Sequence, residues 1–124
     1  MLDRDFARKF VDEWIAAWNA RDIDAVLAHY DDDIEFTSAF IIRIAGEPTG
    51  TLRGKADLRD YLDKALAAVP NLRFELIDVY RGVDSVVINY HSHRGDTSVR
   101  AAEVLVFGTS GKVIRGFANY DNAI

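Results

Sequence analysis

Cysteine is absent from this sequence of 124 residues, which excludes disulfide bonds, thiolate metal sites and a cysteine nucleophile. Basic residues are also outnumbered by acidic ones, 15 to 20. The formal net charge is -5, so a basic surface for nucleic acid or an anionic membrane is not predicted. No stretch approaches the roughly 18 apolar residues of a membrane span, and the charged first residues do not fit a signal peptide. We therefore expect a cytoplasmic protein that binds neither nucleic acid nor membranes.

Three common catalytic motifs are also lacking: the glycine-rich phosphate loop, the serine nucleophile elbow and the zinc-binding helix. The composition that remains is ordinary for a globular protein, with 49% hydrophobic and 28% charged residues. No linker, repeat or low-complexity block divides the chain. The sequence therefore predicts one domain spanning residues 1–124.

Apolar residues at spacings of three and four predict an amphipathic helix from about Asp5 to Ala20. A second short helix is predicted from Ile23 to Tyr30, because Asp22 can cap its first turn. A third helix is predicted from Lys55 to Val69, where the following proline stops it. The first two helices are expected to form a helical hairpin.

Strands fill most of the remaining chain. The run Asp31–Asp33 is predicted to be a solvated turn, since clustered carboxylates repel one another. A half-buried strand is expected to begin at Ile34 and run to about Ile44, followed by a short return strand, Thr51 to Arg53. Two longer strands are predicted over Leu72 to Tyr80 and Ser85 to His93. The inward face of residues 72–80 is ambiguous from the pattern.

The last two strands lie between Val99 and Tyr120 and are joined by a Gly-Thr-Ser-Gly turn. A two-residue loop at Thr109 and Ser110 would pair Glu103 with Gly116. Because side chains alternate across a strand, one face is apolar apart from a single acid. That inner face would carry Val99, Ala101, Glu103, Leu105, Phe107, Ile114, Gly116, Ala118 and Tyr120.

Glu103 is the leading candidate for a catalytic residue. A carboxylate among apolar side chains should either find a partner or have its pKa raised, and such groups concentrate at functional sites. It could act as a general acid, a general base or a ligand-orienting donor. The alternative is a structural carboxylate hydrogen-bonded to a tyrosine or tryptophan. The candidate ligand-binding residues around it are Trp14, Trp18, Tyr30, Phe36, Ser38, Phe40, Tyr61, Tyr90, Phe107 and Tyr120.

The opposite face of the sheet raises two further questions. His91 and His93 could chelate a metal from one strand, but the register places them on this outer face with no carboxylate nearby in sequence. No metal site and no cofactor are therefore predicted. The same face is too apolar for open solvent, which predicts a homodimer packed sheet to sheet. Its apolar members would be Ala102, Val104, Val106, Val113 and Phe117.

Three segments, 10–36, 50–62 and 103–115, resemble the nuclear transport factor 2-like superfamily, in particular its SnoaL-like and ketosteroid isomerase-like branch. The segments are F-V-D-E-W-I-A-A-W-N-A-R-D-I-D-A-V-L-A-H-Y-D-D-D-I-E-F, G-T-L-R-G-K-A-D-L-R-D-Y-L and E-V-L-V-F-G-T-S-G-K-V-I-R. The resemblance implies an α+β fold, a cystatin-like roll. In it, a cone-shaped curved antiparallel β-sheet packs against about three helices from the N-terminal half and encloses a pocket. It also implies a homodimer formed through the outer sheet face.

The resemblance carries over only part of the ketosteroid isomerase site. By position the late acid of that site corresponds to Glu103, and the aromatic residue at the sheet's end to Tyr120. Trp14 stands at the tyrosine position and Ser38 at the base position. Serine cannot by itself abstract a proton from carbon, so proton transfer between steroid carbons by that set of residues is not expected.

Two functions remain open from the sequence. The first is a small-molecule-binding pocket, acting as an isomerase, cyclase, dehydratase or hydrolase on an apolar or aromatic substrate without a cofactor. The second is a non-catalytic ligand-binding or protein-interaction domain of the same fold.

Overall fold

The computed structural model describes residues 1–122. Its helices are α1 (Arg4–Asn19), α2 (Ile23–Leu27), α3 (Ala39–Ala45) and α4 (Lys55–Ala68). Its strands are β1 (Tyr30–Thr37), β2 (Thr51–Arg53), β3 (Leu72–Arg81), β4 (Ser85–Arg94), β5 (Thr97–Phe107) and β6 (Val113–Tyr120). Across these residues, no helix has both the length and the apolar character needed to cross a lipid bilayer.

The six strands form one open sheet in the order β2-β1-β6-β5-β4-β3. The predicted α+β architecture is confirmed. Two details differ. Strands β1 and β6 pair in parallel, whereas the other neighbours are antiparallel, and residues 1–122 contain four helices where about three were predicted. Hydrophobic periodicity reports which face of a strand is buried and not which strand lies beside it, so the parallel pair carried no sequence signal.

Helix α1 is held at both ends, by a cap at its N-terminus and by hydrogen bonds to the sheet at its C-terminus. Asp3 caps its first turn by accepting a hydrogen bond from the backbone of Phe6 at 3.0 Å. At the other end, Asn19 donates to the Phe74 carbonyl at 2.9 Å and accepts from the Phe74 backbone N–H at 2.7 Å. This pair of bonds fixes the last turn of α1, and with it Trp18, against β3.

The structure corrects the region around the three aspartates. Helix α2 ends at Leu27, and Tyr30 is the first residue of β1 instead of the last of a helix. Asp31–Asp33 lie within this strand and do not form a turn. The strand tolerates them because Asp32 and Asp33 are exposed, and the pairing with β6 shifts register between Tyr30 and Glu35.

A second correction concerns the predicted strand Ile34 to Ile44, which ends at Thr37 and is followed by helix α3. Ser38 has an extended backbone, and its Oγ accepts a hydrogen bond from the Phe40 backbone at 3.2 Å, which caps the helix. Gly46 ends α3 in the left-handed conformation, with φ of 71°. A short apolar run fits either a strand or a buried helix, and the cap decides this case.

The hairpin between β5 and β6 has a three-residue loop where two residues were predicted. The Gly108 N–H donates to the Lys112 carbonyl at 2.8 Å, and the Gly111 N–H donates to the Gly108 carbonyl at 3.1 Å. Gly111 has φ of 80°, which is the left-handed position that this kind of loop requires. The extra residue shifts the pairing by one, so Phe107 lies opposite Val113.

A bulge in the pairing between Val106 and Phe107 shifts the register a second time. Glu103 therefore pairs with Ala118 and not with Gly116. Two single-residue shifts restore the original alternation, so Gly116, Ala118 and Tyr120 still share the face of Glu103, as predicted. Between the two shifts the prediction is wrong: Val113 is buried, and Ile114 is exposed instead of facing the core.

The sequence predicts a two-residue turn at Arg94-Gly95 or Gly95-Asp96, and either turn places Ile88 and Tyr90 on the face of Glu103. The structure confirms this alternation. Arg94 pairs with Thr97, so the loop consists of two residues, Gly95 and Asp96. Ile88 then lies directly opposite Glu103, and Tyr90 lies on the same face. This register is what directs the Glu103 carboxyl toward the helices.

Candidate active site

Glu103 lies on the helix-facing side of the central strand β5 and is 3% exposed. Its Oε1 accepts a hydrogen bond from the Tyr90 hydroxyl at 2.9 Å. Burial raises the pKa of the Glu103 carboxyl to about 8, and the bond from Tyr90 opposes this rise only in part. Both outcomes expected of a buried acid therefore occur together, and at neutral pH the carboxyl is mainly protonated.

The Glu103 carboxyl borders an inner chamber of about 40 Å³ between the sheet and the helices. Because one water needs about 10–15 Å³ of such space, the chamber has room for about three. Its walls are largely aromatic and aliphatic. They are formed by Trp18, Tyr30, Phe36, Leu58, Tyr61, Leu62, Phe74, Tyr90, Glu103, Ala118 and Tyr120.

The four tyrosines of the inner chamber remain neutral hydrogen-bonding groups. Burial raises the pKa of Tyr61 to about 12 and raises that of Tyr30, Tyr90 and Tyr120 well above the usual range. The charge of the nearby Glu103 carboxylate raises each of them further. The chamber therefore offers phenol groups and one titratable acid, and the acid ionises first.

An outer chamber of about 80 Å³ shares Trp18, Tyr61, Phe74 and Tyr120 with the inner one. Its other walls differ in character, since they include the charged side chain of Arg94. The remaining members are Phe40, Ile44, Ala65, Val69, Leu72 and Ser92. The two chambers therefore meet at a set of shared aromatic rings.

The Arg94 guanidinium stacks on two aromatic side chains of the outer chamber. Its central carbon lies 4.3 Å from the ring centroid of Phe40 and 5.6 Å from that of Tyr120. Its Nε donates to the Ser92 hydroxyl at 3.4 Å. Among residues 1–122, no carboxylate forms an ion pair with Arg94. The outer chamber thus has a positive charge without a negative partner from the described chain.

Trp18 presents a second group without a partner. Its indole N–H is buried and has no acceptor within the described part of the chain. A buried donor without a partner is destabilising by roughly 1–3 kcal/mol. Trp18 lines both chambers, so an acceptor atom on a bound molecule at their junction would satisfy it.

A model of the SnoaL-like domain family matches residues 11–116, which is most of the chain. This protein belongs to the SnoaL-like domain family. The predicted resemblance is therefore confirmed, and the solved structures similar to it include proteins described as nuclear transport factor 2-like. No curated protein matches the chain.

Among solved structures, a SnoaL-like protein of unknown function from Burkholderia thailandensis is 45% identical, with a TM-score of 0.89 over 97% of this chain and 98% of that one. A candidate ketosteroid isomerase from Kribbella flavida is 14% identical, with a TM-score of 0.76 over 97% and 81%. TerC, co-crystallised with polyporic acid, is 18% identical, with a TM-score of 0.75 over 94% and 92%. The last two likenesses concern the fold alone.

Three candidate residues of this SnoaL-like protein lie outside the chamber walls. Trp14 is fully buried behind them, and its indole N–H donates to the Tyr30 hydroxyl at 3.1 Å. Ser38 caps α3, and its hydroxyl interacts with the phenols that line the chambers. Phe107 packs edge-on against Phe6 and Phe10. The other candidates contribute to one chamber or both: Trp18, Tyr30, Phe36, Phe40, Tyr61, Tyr90 and Tyr120.

Among the wall residues of the SnoaL-like protein that were not sequence candidates, Phe74 contributes a large aromatic ring and Arg94 a charge. Phe74 lies before a bulge in the β3–β4 pairing between Leu76 and Asp78, and this bulge made the alternation ambiguous. Arg94 was assigned to a possible turn. It continues the alternation of Tyr90 and Ser92 along β4, and that period of two was the signal that could have identified it.

Gly116 explains how Phe36 reaches the inner chamber. The two residues are partners in the parallel pairing of β1 and β6. A Cβ atom at position 116 would lie 2.7 Å from the Phe36 ring, which is closer than real Cβ contacts allow. A glycine at this position of β6 therefore makes space for an aromatic wall residue.

Proposed function

We propose that this SnoaL-like protein binds a compact aromatic or apolar molecule with an acidic group and catalyses a proton-transfer reaction on it. The reaction would be of the isomerase, cyclase, dehydratase or hydrolase type. The observation that supports this most strongly is Glu103, a buried acid on the wall of an otherwise apolar chamber, with a pKa raised to about 8. A carboxyl that holds its proton near neutral pH is suited to general acid catalysis.

In the proposed reaction the Glu103 carboxyl first donates a proton and then accepts one. The Glu103 carboxyl gives its proton to an oxygen of the substrate, and the carboxylate then recovers a proton from a substrate carbon or from water. The Tyr90 hydroxyl stabilises the carboxylate between the two transfers, because it already donates to Oε1. The indole N–H of Trp18, which has no acceptor among residues 1–122, would hold an acceptor atom of the substrate nearby.

We expect an acidic group in the ligand because of the positive charge of Arg94. Its guanidinium has no carboxylate partner among the described residues and borders the outer chamber, where a carboxylate or acidic hydroxyl could bind it. The co-crystal of TerC with polyporic acid supports an acid as ligand for a protein of this fold. The chambers are small, so we expect the shared rings of Trp18 and Tyr61 to move when a ring-sized molecule binds.

The small inner chamber favours a second candidate function, in which the protein binds a ligand or another protein without catalysis. In that case Glu103 and Tyr90 form a structural hydrogen bond that specifies the packing of the core. This alternative predicts binding without turnover.

A panel of aromatic carboxylic acids and their methyl esters tests both functions. Binding is followed by the fluorescence of the two tryptophans. We expect acids to bind at least about tenfold more tightly than their esters, and Arg94→Met to remove this preference. Arg100→Met, an exposed arginine on β5, is the matched control and should preserve it. Equal binding of acids and esters by the wild-type protein would contradict the role of Arg94.

Turnover of the bound acids separates the enzyme from the binder. For an enzyme, Glu103→Gln should retain binding within about threefold and lose turnover by about 100-fold or more, the usual contribution of a general acid. Equal turnover by the wild-type protein and Glu103→Gln would exclude Glu103 as the acid. Binding without turnover in both proteins would support the non-catalytic alternative.

We also propose a homodimer packed through the outer face of the sheet. Four of the five apolar residues predicted there do lie on that face and are partly exposed, while Val113 is buried on the other side. We expect sedimentation at twice the chain mass of 13.9 kDa, and a shift to the monomer mass for Val104→Lys. Val83→Lys, at a residue 80% exposed in the β3–β4 loop, should leave the dimer intact. Monomeric wild-type protein would refute this proposal.

A further inference from the structure

Three metal-binding side chains meet on the outer face of the sheet, opposite to the chambers. His91 and His93 lie two residues apart on β4, so both point to this face. Glu75 on β3 is the direct cross-strand partner of His91. The carboxylate that is missing from the neighbouring sequence is therefore supplied by the adjacent strand.

The distances suit a small cation. Glu75 Oε1 lies 2.9 Å from His93 Nε2 and 3.7 Å from His91 Nδ1, and one ligand atom from each residue lies within 4.8 Å of the others. Ligand atoms bound to Zn²⁺ at about 2.0–2.1 Å in a tetrahedron are about 3.3–3.4 Å apart. Small side-chain rotations are therefore enough to bring all three ligands to one ion.

The ligand set selects the kind of metal. Two imidazoles and one carboxylate suit zinc and its first-row neighbours, whereas Ca²⁺ and Mg²⁺ prefer oxygen ligands alone. In the single chain the three side chains are 28% to 55% exposed. They lie beyond the apolar residues of the proposed dimer face, toward the β4–β5 turn, so water can occupy a fourth position. Both histidines lie on β4, which is paired on each side, so the backbone holds them in place before a metal arrives.

The charges around the cluster set limits on affinity. The Glu75 side chain is 55% exposed, so its carboxylate can rotate toward a cation without leaving a buried contact. Arg73 pairs with His93, and Arg100 pairs with His91 on the other side. These two arginines repel a cation. Salt screens this repulsion, so the cation should bind more tightly at high ionic strength than at low ionic strength.

We propose that Glu75, His91 and His93 form a surface site for a first-row divalent cation of the zinc type, with a position open to water. This site is independent of the proposed chemistry at Glu103, because the sheet separates the two. The chain contains one further histidine, His29, which lies near Glu13 on the helix side of the molecule and serves as a control.

The test is a titration of tag-free protein with ZnCl₂, measured by calorimetry. We expect one Zn²⁺ per chain, and more than about tenfold weaker binding for His91→Ala and for His93→Ala. His29→Ala should bind as the wild type does. Co²⁺ should produce the visible absorption of tetrahedral coordination in the wild type and not in His91→Ala. Circular dichroism checks that each variant is folded, which is expected because the replaced side chains are partly exposed.

Three outcomes would overturn this site. The first is the absence of stoichiometric Zn²⁺ binding by the wild-type protein. The second is an equal loss of affinity in His29→Ala and His91→Ala, which would indicate unspecific binding to histidines. The third is one Zn²⁺ per two chains, which would place the ligands in two copies instead of one.

Discussion

Replacing Glu103 with glutamine is expected to remove a pH dependence of stability that amounts to about 5 kcal/mol in the wild-type protein. The pKa of this carboxyl is 4.5 in an unperturbed chain and about 8 in the fold. Between these values the folded state keeps a proton that the unfolded chain has lost. The free energy of unfolding therefore falls as pH rises, by about 1.4 kcal/mol for each pH unit.

The sign follows from the raised pKa. Below pH 4.5 both states are protonated at this residue, and its contribution to stability is fully present. Above about pH 8 both states are ionised, and the contribution has been lost. Glutamine does not titrate, and its side-chain oxygen can still accept the hydrogen bond from Tyr90.

Urea unfolding from pH 4.5 to pH 9 measures this effect as the difference between wild type and Glu103→Gln. The difference cancels the titration of all other groups. Glu47→Gln is a suitable control, since Glu47 is only partly buried and hydrogen bonds from Thr49 lower its pKa. The control should keep the wild-type slope above pH 5. Parallel curves for wild type and Glu103→Gln would show that the carboxyl is not held protonated in the fold.

Trp14→Ala is expected to lower the free energy of unfolding by about 3–5 kcal/mol, the usual loss for a fully buried tryptophan. Trp14 is 0% exposed and stacks on Phe74 with ring centroids 5.6 Å apart. Its indole N–H also donates to the Tyr30 hydroxyl. Its removal leaves a cavity behind the chamber wall and a buried hydroxyl with one partner fewer.

Trp18→Ala is the matched comparison, because Trp18 lies one helical turn away and is partly exposed. Its buried N–H has no acceptor among the described residues, so its loss should reduce stability by less. Trp14→Phe retains an aromatic ring and covers the case in which Trp14→Ala does not fold. Both series are measured by chemical unfolding. A larger loss of unfolding free energy for Trp18→Ala than for Trp14→Ala would contradict the assignment of Trp14 to the core and of Trp18 to the chamber wall.

The candidate site was predictable where a strand alternates without interruption. Ile88, Tyr90 and Glu103 lie on the predicted face, because β4 and β5 pair without a bulge. The prediction failed for Val113 and Ile114, where a loop residue and a bulge each shift the register by one. Bulges leave little trace in a hydrophobic pattern, since they only exchange neighbouring positions.

The hydrophobic pattern also could not distinguish a strand from a helix in short apolar segments. The apolar residues after Ser38 fit a strand as well as a helix, and the cap at Ser38 together with Gly46 determined the helix. Arg94 was visible in the sequence only as a charge beside a turn. Its stacking on Phe40 depends on where α3 lies, and that position is a tertiary property.

Residue patterns alone were enough to predict the family, the α+β class, the first and last helices and the inward direction of the Glu103 side chain. These features depend on periodicity and on residue order, which are local properties of the chain. The size of the chambers, the place of the Arg94 guanidinium on the outer chamber wall and the meeting of Glu75 with His91 and His93 could be read only from the folded chain. Each of these depends on distances between strands and helices that are remote in sequence, and such distances are set by packing.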